Sequence, residues 1–128
     1  MNPARSCPCG RGFPLSVCCG PYLEQRQLAP TAEALMRSRY SAFVLRNSRY
    51  LLATWDPALR PARLDLKHDK TEWLGLQVVS TEAGTEFDSV GRVEFIARYR
   101  IHGKTAELHE HSRFRKEGPA WLYIDGEV

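Results

Sequence analysis

Hydrophobic residues recur with a helical period in the first half of the chain, within the stretch TAEALMRSRYSAFVLRNSRYLLATW. The helical stripe consists of Leu35, Met36, Tyr40, Phe43 and Val44. Thr31 stands just before it and is a suitable N-terminal cap, because its hydroxyl can accept a hydrogen bond from a free backbone N–H. Asn47 and Ser48 interrupt the pattern, so we expect one helix before them and a short second helix from Arg49 to Thr54.

From Trp73 onward, apolar and polar residues alternate with a period of two, which is typical of β-strands with one buried face. The predicted strands are WLGLQVVSTEAG, RVEFIARYRI, TAELHEHSRFRK and AWLYIDGEV. Turn residues separate them, including Gly103 and the pair Gly118 and Pro119. Helices followed by an antiparallel meander predict an α+β fold, with the helices packed on one face of a curved sheet.

Strand alternation places two polar residues on the apolar face of the third predicted strand. Glu110 and Ser112 share that face with Leu108 and Phe114. A carboxylate among apolar side chains must be paired or hydrogen-bonded. Glu110 therefore either orders the core by pairing with an arginine such as Arg39, or with Tyr40 and Trp73, which is the favoured interpretation, or belongs to a pocket. The residues expected to line that pocket are Tyr40, Trp55, Trp73, Glu110 and Ser112.

The composition is that of a globular protein with one core, since the 128 residues are 43% hydrophobic and 26% charged. No apolar run reaches the roughly 18–20 residues of a membrane span, and the N-terminus has no secretory signal. We therefore expect a cytoplasmic protein in a reducing environment. The formal charge of +3 permits contact with nucleic acid or an acidic protein without requiring either.

All four cysteines lie in one short segment, as Cys7, Cys9, Cys18 and Cys19 of MNPARSCPCGRGFPLSVCCGPYL. Two disulfides are disfavoured in a reducing compartment, and adjacent cysteines pair only through a strained ring. Four buried free thiols are disfavoured because the surrounding glycines and prolines leave no element to bury them against. A tetrahedral metal site fits best, since four thiolates suit Zn²⁺ at about 2.3 Å per bond.

A zinc ion with four protein ligands is structural, because no coordination position is open for a substrate. Gly10 and Gly12 permit the left-handed turns that a loop between the two ligand pairs needs. Arg5 and Arg11 are placed to offset the negative charge of four thiolates. The sequence indicates no catalytic residue and no site for an organic cofactor.

The pattern C-P-C-G-x-G-x(5)-C-C-G resembles the SEC-C motif, a zinc-binding segment known from the C-terminal tail of the bacterial translocase SecA. This resemblance implies that the four cysteines are the zinc ligands. The usual lysine-rich centre of the motif is replaced by GRGFPL over residues 10–15, so the segment is less basic than the translocase tail.

The remainder of the chain resembles the NTF2-like fold, a cone of antiparallel strands wrapped on N-terminal helices. More narrowly, the chain is similar nearly end to end to the YchJ-like protein family. The stretches that carry this similarity are CPCG, CCGPYL, LMRSRYSAF, YLLATW, TEWLGL, FIARYR, HSRF and WLYIDG. The expected organisation is a SEC-C-like zinc-binding segment over residues 1–23 and an NTF2-like domain over residues 24–128. The resemblance implies no particular activity.

Two further patterns concern the outward faces of the strands. His109 and His111 put two rings on one strand face, but no third ligand lies nearby in sequence, so ordinary surface histidines are favoured. Arginines of the second and third strands, such as Arg98 and Arg113, predict a basic stripe that acidic residues interrupt. A solvated charged face is favoured there over phosphate contacts with RNA.

Three functions remain open at this stage. The favoured one is a non-catalytic adaptor whose zinc segment contacts a protein, such as one of the ribosome or translocase, through exposed Phe13 and Leu15. The second is ligand binding or catalysis in the cone near Glu110, and the third is RNA binding through the arginine-rich sheet face. An enzyme is disfavoured because no G-x-S-x-G, P-loop, H-E-x-x-H or dinucleotide motif occurs. The oligomeric state does not follow from the sequence.

Overall fold

A computed structural model describes residues 5–128, so the first four residues of the predicted segment 1–23 lie outside the described part. A 3-10 turn spans Leu15–Val17 and precedes three helices, α1 (Gly20–Leu23), α2 (Ala32–Val44) and α3 (Ser48–Ala53). Four strands follow, β1 (Glu72–Ala83), β2 (Val90–Ile101), β3 (Lys104–Glu117) and β4 (Ala120–Glu127). This order confirms the predicted α+β architecture, with helices followed by an antiparallel meander.

The sheet is a four-stranded antiparallel meander in which each strand pairs with the next along the chain. His102 and Gly103 turn the chain between β2 and β3 with φ values of 52° and 79°, a left-handed conformation that favours glycine. The register shifts twice within the β1–β2 pairing and once within the β3–β4 pairing. Such bulges increase local twist and bend, which curves the sheet around the helices.

Helix α2 packs on the concave face of the sheet and forms the main core. The Thr31 hydroxyl accepts a hydrogen bond from the backbone N–H of Ala34 at 3.0 Å, which confirms the predicted cap. The principal buried residues of this core are Leu35, Met36 and Tyr40 from α2 and Val93, Phe95, Ala97, Phe114 and Trp121 from the sheet. The predicted helical stripe is thus the surface that the sheet covers.

The start of α2 lies against the hairpin between β1 and β2, where two glycines allow close approach. The N–H of Ala32 donates to the carbonyl oxygen of Gly84 at 2.9 Å. A Cβ atom on Gly91 would lie 2.5 Å from the Cα of Gly84, so a larger residue would force the backbones apart. Within residues 5–128, none of the helices is both long and apolar enough to cross a bilayer.

Candidate functional site

The four cysteine side chains form one cluster beside α2. Their Sγ atoms all lie within 4.8 Å of one another, and the Cys9 and Cys18 Sγ atoms are 3.6 Å apart. All four thiols are free. Sulfurs around a tetrahedral zinc ion with bonds of about 2.3 Å are separated by about 3.8 Å. The cluster is therefore compact enough to hold one metal ion.

Local backbone structure brings the two cysteine pairs together. An isolated bridge joins Ser6 to Pro14, and the N–H of Cys7 donates to the carbonyl of Phe13 at 2.9 Å. Gly10 and Gly12 have φ values of 82° and 87° and so make the left-handed turns that were expected of them. The loop thereby folds back on itself and places Cys18 and Cys19 beside Cys7 and Cys9.

Burial and hydrogen bonds among the thiols shift the pKa values of Cys7, Cys18 and Cys19 in different directions. Hydrogen bonds from Cys19 and Cys9 lower the pKa of Cys7. Burial, together with hydrogen bonds to Cys7 and Cys9, raises the pKa of Cys18 to about 12. The pKa of Cys19 is also raised, mainly by its hydrogen bonds to Cys7 and Cys9. A bound divalent cation would favour the deprotonated form of each thiol and allow all four thiolates to form together.

The cysteine segment is docked on the helical layer by contacts that were not predicted from the sequence. The Arg37 guanidinium donates to the carbonyl oxygen of Cys9 at 2.9 Å, and the Ser41 hydroxyl lies 3.6 Å from the Cys7 Sγ. Both residues are on α2, more than 25 residues from the loop they contact. The helical period predicts that Arg37 and Ser41 share one face of the helix. It does not predict which segment that face contacts.

Two expectations about this segment are wrong. Leu15 was predicted to be exposed, but only 1% of its surface is accessible, because the fold-back of the loop places it against Cys7, Cys9 and Cys19. The segment was also predicted to have no element to bury its cysteines against, yet three of the four are buried beside α2 and β1. Phe13 and Val17 remain exposed, at 55% and 70%.

A cavity of about 210 Å³ lies inside the cone, between α2 and the sheet. The five residues expected to line a pocket, Tyr40, Trp55, Trp73, Glu110 and Ser112, all line it. Apart from Arg39, the other wall residues are apolar or aromatic and include Met36, Phe43, Phe95, Leu108, Phe114 and Tyr123. The structure therefore places these five residues around one cavity.

Polar groups meet on one side of this cavity. The Ser112 hydroxyl donates to Glu110 Oε2 at 2.6 Å, and the Tyr123 hydroxyl donates to the same oxygen at 3.4 Å. Burial, together with the negative charge of Glu110, raises the pKa of Tyr123 to about 12. The carboxylate is thus satisfied by hydroxyl groups, and its remaining acceptor capacity is available to a ligand.

Arg39 also lines the cavity, and among the ion pairs of residues 5–128 none joins it to Glu110, which was one alternative drawn from the sequence. Its Nη1 donates to the carbonyl of Leu51 and to the Thr54 hydroxyl, both at 2.8 Å. The guanidinium also lies over the Tyr123 ring, with its Cζ atom 4.5 Å from the ring centroid. Burial lowers the pKa of Arg39 to about 10, so the group stays charged at neutral pH.

Gly126 of β4 provides the space that the Glu110 side chain occupies, because a Cβ atom at position 126 would overlap the carboxylate. We expect Gly126→Ala to push Glu110 away from Ser112 and to cost about 1–3 kcal/mol of stability, the usual penalty for an unsatisfied polar group. Chemical denaturation measures this loss. Gly75→Ala is the matched control, since a Cβ there meets nothing within 4 Å. Equal stability losses in both variants would contradict the packing assigned to Gly126.

Three arginines of the sheet form ion pairs with carboxylates. Arg113 pairs with Asp125 at 2.7 Å, and Arg100 pairs with Glu72 at 2.8 Å. Arg115 reaches Asp56 at 3.0 Å. Carboxylates that engage these guanidiniums compete with phosphate groups for them, which disfavours RNA contacts at these three arginines.

Similarity to known proteins agrees with this architecture. A family profile described as the middle NTF2-like domain of YchJ matches residues 31–126. A UPF0225 protein of Chromobacterium violaceum is 51% identical over 126 residues, covering 96% of this chain and 93% of the relative. A UPF0225 protein of Streptomyces coelicolor is 49% identical, covering 98% of this chain and 97% of the relative.

Two solved structures are similar over nearly the whole chain. The solution structure of a SEC-C motif containing protein from Rhodopseudomonas palustris has a TM-score of 0.85 and 37% identity, covering 96% of this chain and 98% of the other. The crystal structure of a SEC-C motif containing protein from Psychrobacter arcticus has a TM-score of 0.80 and 30% identity, covering 98% and 84%. Together with the cysteine cluster and the conical sheet, these similarities show that the chain belongs to the YchJ-like UPF0225 family.

Proposed function

We propose that this protein binds a small neutral ring-containing molecule inside its cone, and that a structural zinc ion fixes the N-terminal segment against the helices. The observation that carries the first part is the cavity of about 210 Å³ with Glu110 and Arg39 in its walls. A filled core would leave no room for a ligand. Binding pockets are typically apolar and aromatic with a few polar groups that orient the ligand, and this cavity has that composition.

The size and polarity of the cavity define the class of ligand. A cavity of roughly 150 Å³ accepts benzene, so 210 Å³ suits one ring with a small substituent. Arg39 would repel a cation and Glu110 would repel an anion, which favours a neutral molecule. A hydroxyl or amide N–H on that molecule would donate to Glu110, while Trp55 and Trp73 would contact the ring.

The metal part of the proposal rests on the donor set. Four thiolates in a tetrahedral arrangement are typical of structural zinc, and three of these four side chains are buried. The site would have no open position, so zinc would hold the loop rather than act on a substrate. A reducing compartment such as the cytoplasm would keep the thiols available. In this proposal residues 1–23 form the zinc segment and residues 24–128 form the binding domain.

Ligand binding is tested with phenol as the probe, observed by saturation-transfer NMR. We expect phenol to bind the unmodified protein and to lose binding in Ala97→Phe, because the new ring would occupy the cavity that Ala97 lines. The matched control is Ala106→Phe, which places the same ring at an exposed position. Over-packing costs about 1–3 kcal/mol, so amide signal dispersion is checked in both variants.

A second variant tests whether Glu110 orients the bound phenol, as distinct from phenol merely filling the cavity. Glu110→Gln retains the shape of the side chain but removes the charged acceptor, and we expect it to weaken phenol binding without abolishing it. Equal phenol binding in the unmodified protein and in a folded Ala97→Phe variant would rule out the cavity as the site.

Protein contact through the cysteine segment is the second candidate function, and the exposure of Phe13 and Val17 favours it. Both apolar side chains project from a loop that the metal would hold rigid, which lowers the entropic cost of binding. The variant Phe13→Ser with Val17→Ser is compared with the unmodified protein in affinity capture at equal metal content. The adaptor role predicts that specific partners are lost from the variant, whereas identical partner sets would exclude it.

A further inference from the structure

A second group of metal-binding side chains lies on the outward face of the sheet, away from the cysteines and the cavity. It consists of Glu94 on β2 with His109 and His111 on β3, and its three ligand atoms lie within 4.8 Å of one another. Only the two histidines are close in sequence, which is why no third ligand was expected. The sheet register supplies it, because Glu94 stands directly opposite His111.

The three side chains already converge on one oxygen atom. Glu94 Oε2 lies 2.6 Å from His109 Nε2 and 3.7 Å from His111 Nε2. The two rings stack with centroids 5.5 Å apart and an interplanar angle of 24°, so they approach the carboxylate from the same side. Ligand atoms around a tetrahedral zinc ion with bonds of 2.0–2.1 Å are separated by about 3.3 Å. Side-chain shifts of less than about 1 Å would therefore bring the three ligand atoms to the spacing of a tetrahedral zinc site.

The neighbouring strands support this arrangement. The Ser80 hydroxyl on β1 donates to Glu94 Oε1 at 2.9 Å, which orients the carboxylate and leaves Oε2 for the histidines. Hydrogen bonds of this kind to ligating carboxylates are a usual feature of metal sites. On β4, Glu127 stands opposite His111 in the register. Ser80, Glu94, His111 and Glu127 thus form one row across all four strands.

We propose that Glu94, His109 and His111 form a divalent metal site that takes Zn²⁺ and is separate from the cysteine cluster. Two imidazoles and one carboxylate suit zinc with three protein ligands, and the fourth position stays open to water or to Glu127. Both histidine rings are more than half exposed, so the ion exchanges with solvent, unlike an ion enclosed by four cysteines. Arg92 adjoins Glu94 on the same face and lowers the affinity through charge repulsion.

Histidine-ring NMR spectra distinguish this site from the cysteines. The protein is first loaded with one equivalent of Zn²⁺ for the cysteine site, and further Zn²⁺ is then titrated. We expect the ring signals of His109 and His111 to shift together and to saturate at one additional equivalent. The signals of the other two exposed histidines, His68 and His102, serve as internal controls and remain unchanged.

Two variants test the roles of individual residues. His109→Gln removes a ligand and is expected to abolish saturable Zn²⁺ binding at His111. Ser80→Ala leaves all three ligands in place and is expected to weaken zinc binding about 10-fold, as loss of an outer hydrogen bond typically does. Equal, non-saturating shifts at all four histidines would overturn the proposal, as would unchanged zinc affinity in His109→Gln. Both substitutions are on the outward face of the sheet, and thermal denaturation verifies that they leave the fold intact.

Discussion

Replacing Cys9 by serine is expected to release the metal ion and to detach the cysteine segment from α2. Cys9 is completely buried, lies 3.6 Å from Cys18 and presents its carbonyl oxygen to Arg37. Structural zinc contributes about 10–16 kcal/mol to the folding of small zinc-binding peptides, far more than the few apolar contacts of this segment could replace. We therefore expect loss of metal from the cysteine site, exposure of Leu15 and rapid exchange of the Leu15 amide, which donates to the carbonyl of Arg5.

Val17→Ser is the matched control for this variant. It introduces the same residue between the two cysteine pairs, but at a side chain that is 70% exposed. The control should retain both metal and amide protection. If Cys9→Ser kept the metal with unchanged affinity, or if the Leu15 amide stayed protected after metal loss, the segment would not depend on a four-thiolate site.

Phe114→Ala is expected to cost about 3–5 kcal/mol of unfolding free energy, the usual range for truncating a buried aromatic residue. Phe114 is 1% exposed and forms part of the cavity wall. It packs edge-on against Tyr123, with the two ring centroids 5.8 Å apart. Its removal would enlarge the cavity, and the surrounding strands can collapse only partly around the space. Urea denaturation followed by tryptophan fluorescence measures the loss.

The same variant also tests the proposed binding site. An enlarged cavity should accept a two-ring probe such as naphthol that the unmodified protein excludes. Phe87→Ala is the control, because Phe87 is 90% exposed in the loop between β1 and β2. Its truncation should change neither the unfolding free energy nor the binding of naphthol. A stability loss in Phe114→Ala no larger than that in Phe87→Ala would contradict the packing described for the cone.

Periodicity predicted most of the fold because one face of each element is buried. The helical stripe containing Leu35 and Tyr40 and the alternation in β3 both follow directly from this one-sided burial. The short second helix was predicted within one residue at each end, and Asn47 caps it by accepting a hydrogen bond from the N–H of Tyr50 at 3.0 Å. The same alternation placed Glu110 and Ser112 on the inward face, where both line the cavity.

Contacts between distant segments could not be predicted in the same way. The hydrogen bond from Arg37 to the Cys9 carbonyl depends on how the cysteine segment docks on the helix. The approach of Glu94 to His109 depends on strand register. The local sequence pattern carries no information about either. Leu15 was predicted to be exposed because it lies between the two ligand pairs, and the fold-back that buries it is a tertiary feature.

Native mass spectrometry of freshly purified, reduced protein tests the central claim most directly, because it counts metal ions on each intact chain. In a His109→Gln background, which lacks the proposed sheet site, we predict a folded species that carries one zinc ion and loses it on Cys9→Ser but not on Val17→Ser. A folded protein that is metal-free in all three forms would contradict the claim that the four cysteines organise this segment around a metal.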